Sequence, residues 1–242
     1  MITQIGSLPY DSVEKAIEYS LRHDIPFLPE LPALGELMLD YIRNPGNLCC
    51  MEKFKESTYP VKKVQCVGPA TLMQSRNKED KAVERNYTED EAVSMVCSHL
   101  TAICSGLNSW FTYVFLDEPS LGNAGFDYAS LWDAIFSTIK VEGTAIKGVH
   151  VCGKMDWDTM FRANIDIISF DASQSDITSY PHYAEFRQRG GKIAWGISKP
   201  EDIRDFQRDD LITLACGLGT KREKDAEKGL ELLLGAKALY TP

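Results

Sequence analysis

His150-Val151-Cys152 directly follows the apolar run 146–149, and Cys216 directly follows a second run, 211–215. One imidazole and two thiols delivered from the ends of two buried strands make a zinc ligand set that lacks its fourth member. Zinc with three protein ligands keeps one corner vacant, and a substrate thiol that binds there loses its proton. The chemistry these residues point to is thiol activation. Singly, each has a plainer reading, His150 as a buried histidine and the two cysteines as small apolar side chains. Their joint placement after two strands favours the metal.

The elements that must position them follow from periodicity. Eight short apolar or β-branched runs, at 2–5, 25–28, 61–66, 111–116, 146–151, 166–170, 192–195 and 211–215, alternate with amphipathic stretches at 11–22, 34–42, 89–105, 129–140, 155–162, 180–188, 200–207 and 222–238. Strand-helix alternation makes a parallel sheet, and eight such units predict an α/β fold, a single (β/α)8 TIM barrel over residues 1–242. Asp11, Thr88 and Asp156 supply helix-capping side chains. The polar stretch 68–87 reads as a long loop over the barrel mouth, able to close over a substrate.

In a parallel barrel, chemistry sits at the C-terminal strand ends. Those ends carry Ser7, Glu30, Gly68-Pro69-Ala70-Thr71, Asp117-Glu118, His150 with Cys152, Asp171, Trp195-Gly196 and Cys216. Carboxylates, an imidazole and two thiols thus converge on one rim. Trp157 and Trp195 read as core aromatics, and His23, His99 and His182 as surface or packing residues on helical stretches.

Composition sets the outer bounds. The chain has 242 residues, 44% of them hydrophobic and 25% charged, with a formal net charge of -9. That charge excludes a nucleic-acid or anionic-membrane surface, which needs clustered Lys and Arg. No window approaches about 18 consecutive apolar residues, so no membrane span is expected. Seven cysteines, an odd number, speak against a disulfide framework and for the cytoplasm. Cys97 and Cys104 read as small buried side chains, and Cys49-Cys50 as a loop pair with no ligand partner. Lys221-Arg222, beside Gly217-Leu218-Gly219, is a weak candidate for a phosphate corner.

With those residues in place the chain resembles the catalytic, C-terminal domain of the cobalamin-independent methionine synthases, within the superfamily that also holds uroporphyrinogen decarboxylase. The resemblance runs through Ile5-Gly6-Ser7, Gly68-Pro69-Ala70-Thr71, Leu116-Asp117-Glu118-Pro119, His150-Val151-Cys152, the 169–173 segment Ser-Phe-Asp-Ala-Ser, and Ala215-Cys216-Gly217-Leu218. It implies Zn2+ held by His150, Cys152 and Cys216, with Asp171 standing where the family carries a glutamate ligand. Asp171, one methylene shorter, ligates zinc, swings in only when substrate leaves, or hydrogen-bonds His150. It also implies that Ile5, Gly6, Ser7, Glu30 and Asp117 hold the amino-acid part of homocysteine. Carboxylates suit an ammonium, and a backbone turn with a hydroxyl suits a carboxylate.

Two departures from the family bear on the methyl donor. Only one of the family's two barrels is matched, and Ser198 stands where the family carries a proton-donating histidine. Releasing a folate amine needs a proton, whereas a methylcorrinoid leaves as cobalt(I) without one. The sequence therefore points to transfer of a methyl group from a methylcorrinoid protein to a small thiol, homocysteine, with His150, Cys152, Cys216 and Asp117 as catalytic residues. Three alternatives stay open. One is another thiol such as coenzyme M, whose sulfonate is ill matched to Glu30 and Asp117. Another is a uroporphyrinogen-decarboxylase-type lyase, which wants N-terminal arginines where this chain has none before Arg22. The third is a non-catalytic zinc or corrinoid accessory protein.

Overall fold

A computed structural model describes residues 1–75, 86–121, 127–153 and 155–241. In chain order these hold α1 (Val13–Leu21), α2 (Met38–Tyr41), α3 (Met51–Glu56), β1 (Val61–Val67), α4 (Pro69–Met73), α5 (Glu89–Cys104), β2 (Phe111–Asp117), α6 (Tyr128–Thr138), β3 (Thr144–Val151), α7 (Trp157–Arg162), β4 (Ile167–Asp171), α8 (Tyr183–Gln188), β5 (Lys192–Ile197), β6 (Leu211–Leu214) and α9 (Glu223–Tyr240). The six strands form one parallel sheet in the order β1-β2-β3-β4-β5-β6, curled into a half-barrel. Among the described residues no helix is long and apolar enough to cross a membrane.

Six of the eight expected strands are thus regular strands. The first two segments, around residues 2–8 and 25–30, carry isolated parallel bridges instead: Ile2 with Ile212, Ser7 with Glu30, Phe27 with Lys63. Thr3 N donates to Ile212 O (3.1 Å), Ile25 N to Ile2 O (3.2 Å) and Leu28 N to Lys63 O (2.9 Å), so these segments lie between β6 and β1. The physical reason for the broken ladders is in the sequence. In the second segment Pro26 and Pro29 cannot donate to a ladder and fix φ, and beside the first the Gln4 side chain takes the Leu214 N donor.

Strand alternation divides the core. Tyr113, Phe115, Ile167, Ala194 and Leu211 pack with Ile25 inside the curl, while the intervening side chains join the larger core under the helices. Gly148 leaves room for the Phe115 ring, against which any Cβ would collide. The same period of two carries Lys63 and Gln65 on β1, Asp117 on β2, His150 on β3 and Ser169 on β4 inward. In-register pairing sets Val67 beside Asp117, Asp117 beside His150, and His150 beside Ser169.

The helices follow their caps. Thr88 and Glu91 form a reciprocal capping box at the start of α5, and Ser12 caps α1 through Lys15 N. The expected helix at 200–207 shrinks to a 3-10 turn, Pro200–Asp202, because Asp202 turns back to accept from Ser198 N and Lys199 N. The expected long loop at 68–87 begins with α4, and residues 76–85 of it lie outside the described residues. Cys49 and Cys50 lead into α3, with Cys50 buried.

A buried ion pair ties α8 to the sheet. Arg187 donates to Asp210 through both terminal nitrogens (2.6 and 2.8 Å), and Asp210 also accepts from Ile193 N, Gln207 N and Trp195 Nε1. Removing one partner strands a buried charge at a cost of about 3–5 kcal/mol, whereas an exposed pair is worth about 0–1 kcal/mol. Urea unfolding should therefore show a loss of about 3–5 kcal/mol for Arg187→Leu and next to none for Lys15→Ala, which breaks the exposed pair with Glu223. Equal losses would show that the pair does not anchor α8.

Candidate functional site

A cleft of about 260 Å³ opens at the C-terminal end of the sheet. Its walls include Ile5, Ser7, Glu30, Asp117, His150, Cys152 and Cys216. Seven of the residues singled out in the sequence therefore meet in one place. Gly6 and Asp171 are not on its walls. Gly6 packs so closely on Gln65 and Leu28 O that a Cβ would sit 3.0 and 3.1 Å from them, and its carbonyl accepts from Glu30 N (2.9 Å). The glycine is needed for that approach, which fixes Ile5 and Ser7 against the cleft.

His150 is buried and oriented. Its Nδ1 meets Ser169 Oγ at 2.9 Å, while its Nε2 has no hydrogen-bond partner despite being sealed from solvent. Burial, with the positive charge of Lys63 adding to it, pushes the imidazole down to about 3, so it is neutral at ordinary pH. A neutral imidazole with a free buried nitrogen is a ligand or an acceptor awaiting a donor. Ser169, not Asp171, is its partner. Asp171 Oδ1 instead accepts from Ser173 N (2.9 Å) and Ser173 Oγ (2.6 Å), closing a local turn.

Cys152 and Cys216 are hydrogen-bonded to one another, with Cys152 the donor. That contact holds Cys152 above the usual thiol range and Cys216 below it, and burial reinforces the first while opposing the second. Among the described residues no three His, Cys, Asp or Glu side chains are already gathered tightly enough to hold a metal. A metal would have to draw His150, Cys152 and Cys216 together across the cleft.

The acids differ in role. Glu118 is fully engaged: it accepts from Ala70 N (3.1 Å), Thr71 N (2.7 Å), Thr71 Oγ1 (2.8 Å) and Trp132 Nε1 (3.1 Å), so it fastens α4 to β2. Gly68 leaves the space that carboxylate occupies. Asp117 accepts from Gln65 Nε2 (2.6 Å) through Oδ2 only, and its buried Oδ1 has no partner. Burial raises Asp117 above the ordinary carboxylate range against the opposing pull of Lys63. Glu30 accepts from Tyr41 OH (3.2 Å), and burial, reinforced by the charge of Asp117, pushes it up to about 8.

Four buried polar side chains near the cleft escaped the sequence reading. Lys63 and Gln65 stand in β1, whose Val-Lys-Lys-Val-Gln-Cys-Val run showed polar residues inside an otherwise central strand, the one available signal. Tyr41 bonds Val67 N (3.1 Å) as well as Glu30. Glu36, also on the wall, accepts from Leu31 N (2.6 Å) and Cys49 N (2.5 Å), pinning the loop that carries Leu37 and Met38 over the opening.

No family model matches the sequence, and no curated protein matches it. The fold is an α/β one, six parallel strands curled into a half-barrel with the cleft at their C-terminal end. Among solved structures, one similar fold is a B12-independent methionine synthase from Shewanella sp. W3-18-1 in complex with selenomethionine. It aligns with a TM-score of 0.59 at 15% identity, over 98% of this chain and 96% of that one. Another is KGPDC from Streptococcus mutans, at a TM-score of 0.50 and 10% identity, over the whole of both chains. At these identities the likeness is one of fold.

The buried acids give the stability a definite pH dependence. The folded chain retains a proton on Glu30 up to about pH 8, and on Asp117 up to about pH 7, that the unfolded chain has lost. Their stabilising margin is complete below their unfolded values and disappears as pH rises through about 8. The lowered histidines act only below about 6.5 and do not enter this window. Thermal melts should therefore fall across about pH 6.5–8, with a shallower fall in Glu30→Gln. A flat wild-type profile, or an unchanged slope in the variant, would contradict the buried-acid assignment.

Proposed function

We propose that the protein is a zinc-dependent methyltransferase that moves a methyl group to a small amino-thiol, homocysteine, giving methionine. The observation that carries the reading is the sealed, partnerless Nε2 of His150 on the wall of a cleft it shares with the Cys152–Cys216 pair. The likeness in fold to a methionine synthase holding selenomethionine lends weight to an amino-acid ligand.

The donor set fits the metal. Two thiols and an imidazole are the soft and borderline ligands zinc prefers, and three of them leave the fourth corner open. His150, Cys152 and Cys216 would hold it, with Ser169 fixing the imidazole's orientation through Nδ1. Asp171 is a candidate for the remaining position only if its turn with Ser173 opens. When bound, zinc would keep the substrate sulfur as a thiolate at neutral pH, where a free thiol of pKa about 8.5 is mostly protonated.

The chain's own side chains account for the rest of the recognition. Asp117 Oδ1, buried and unpaired, and Glu30 face the same cleft and suit a substrate ammonium. Since Glu30 is pushed up to about 8, an ammonium arriving beside it near pH 7 displaces its proton. Ser7 and the Ile5 backbone suit the substrate carboxylate. Leu37, Met38 and Pro119 give the cleft its apolar wall against the methylene chain and restrict water.

A methylcorrinoid is the donor this reading favours, with the carbon passing from cobalt(III) to sulfur and the bonding pair leaving on cobalt as cobalt(I). That exchange needs no proton for the leaving group, and the end of β5 carries an exposed Ser198 rather than an acid. Protein supplied with zinc, L-homocysteine and methylcobalamin should yield methionine by mass spectrometry, with loss of the methylcobalamin spectrum. Cys216→Ser should abolish turnover, and Glu30→Gln should raise KM about tenfold or more while leaving bound zinc unchanged. Absence of methionine with both methylcobalamin and methyltetrahydrofolate would reject the methyltransferase reading.

A further inference from the structure

Beneath the cleft, a chain of buried polar side chains connects the strand ends that carry Asp117 and Cys216. Lys63 Nζ donates to Gln4 O (3.1 Å) and to Gln65 Oε1. Gln65 Nε2 passes the link on to Asp117 Oδ2. On the other side, Gln4 Nε2 donates to Cys216 O (3.3 Å), while Gln4 Oε1 accepts from Leu214 N (3.2 Å). The ammonium also stands 4.8 Å from the centroid of the Phe115 ring.

Lys63 is only 1% exposed. An ammonium sealed in a barrel interior is costly unless opposite charge offsets it. Space alone at this position would be filled as well by methionine, at no such cost. The charge therefore has a use, and the groups around Asp117 indicate which. Lys63 faces it from β1, Glu30 from the preceding bridge segment and Cys216 from beyond the end of β6, while Glu118, the next residue, adds its charge from the opposite face. Cys66, on β1, and Cys152, beyond β3, feel its charge as well. His150 is its neighbour across the β2–β3 ladder and is kept neutral by burial. Lys63 is the cation of that set.

We propose that Lys63 is a positioning residue: acting through Gln65, it holds Asp117 turned so that Oδ1 stays free toward the cleft, and so sets the preference for a ligand that bears an ammonium. The preference for such a ligand rests on the amino-thiol reading above; the coupling of Lys63 to Asp117 does not. With the cation removed, Gln65 Oε1 loses the donor that orients it, and Asp117 loses the contact that holds Oδ2 away from the cleft.

Two measurements test this separately. In thermal unfolding, Lys63→Met should lower Tm by about 10 °C, because it leaves a buried acid uncompensated. Adding Asp117→Asn should recover at least half of that loss, or restore folding if the single variant does not fold. A side chain that merely fills space would give additive losses, and a double variant no better than Lys63→Met overturns the proposal. In calorimetric titrations, wild type should bind L-homocysteine more tightly than 4-mercaptobutanoate, which lacks the amine. Lys63→Met should reduce that preference about tenfold, equivalent to about 1.4 kcal/mol, with 4-mercaptobutanoate affinity nearly unchanged. An unchanged preference also overturns the proposal. Should wild type bind neither thiol, the amino-thiol reading fails, and the thermal comparison still decides the coupling of Lys63 to Asp117.

Discussion

In-register pairing of parallel strands is the constraint on which the rest of the molecule depends. The register between β2 and β3 sets Asp117 beside His150, and that between β3 and β4 sets His150 beside Ser169. A slip of one residue would turn each of these side chains to the opposite face, under the helices, where an acid or imidazole has no role. The inward stack beneath them fixes the register. Phe115 occupies the space Gly148 leaves, and Tyr113, Ile167, Ala194 and Leu211 fill the layer below. Packing in that layer thus decides the height at which the cleft chemistry stands.

Directly above this apolar layer the interior changes character. Lys63, Gln65, Asp117 and Glu30 form a sealed polar floor, and the cleft containing His150, Cys152 and Cys216 lies on it. Such a floor is expensive to build, since each charge forfeits hydration that its neighbours only partly return. Proteins retain such expense where a ligand supplies the missing partner. Two sealed acceptors, Asp117 Oδ1 and His150 Nε2, lack partners here, and they differ in what they want. A carboxylate oxygen suits an ammonium, and a neutral imidazole nitrogen suits a metal. On the reading proposed above, zinc would meet the second demand and the ammonium of its thiol ligand the first.

Much of this arrangement was legible in the chain, and the failures have physical causes. Six strands, and Asp117, His150, Cys152 and Cys216 at their ends, follow from apolar runs that break into polar tips. The segments around 2–8 and 25–30 sit where strands were expected, but Pro26 and Pro29 in the second, and the Gln4 side chain that takes Leu214 N beside the first, leave only isolated bridges. The short helices α3 and α4 escaped notice because six and five residues carry too little periodicity, and α4 is held by Glu118 rather than by its own sequence. Lys63 and Gln65 escaped the sequence reading because their compensation comes from residues up to 59 positions away, Gln4 among them. Asp171 looked like a companion of His150 from its place after the next strand, yet a hydroxyl two residues along claims its carboxylate, and Ser169 meets the imidazole instead.

The central claim is that His150, Cys152 and Cys216 close on one zinc ion, and metal content tests it most directly. Protein purified without chelator, supplied with zinc and then desalted, should carry about one zinc per chain by elemental mass spectrometry, and Cys152→Ser prepared in parallel should carry essentially none. Wild type without zinc, or a Cys152→Ser variant that keeps it in full, would contradict the account and return the three side chains to structural roles.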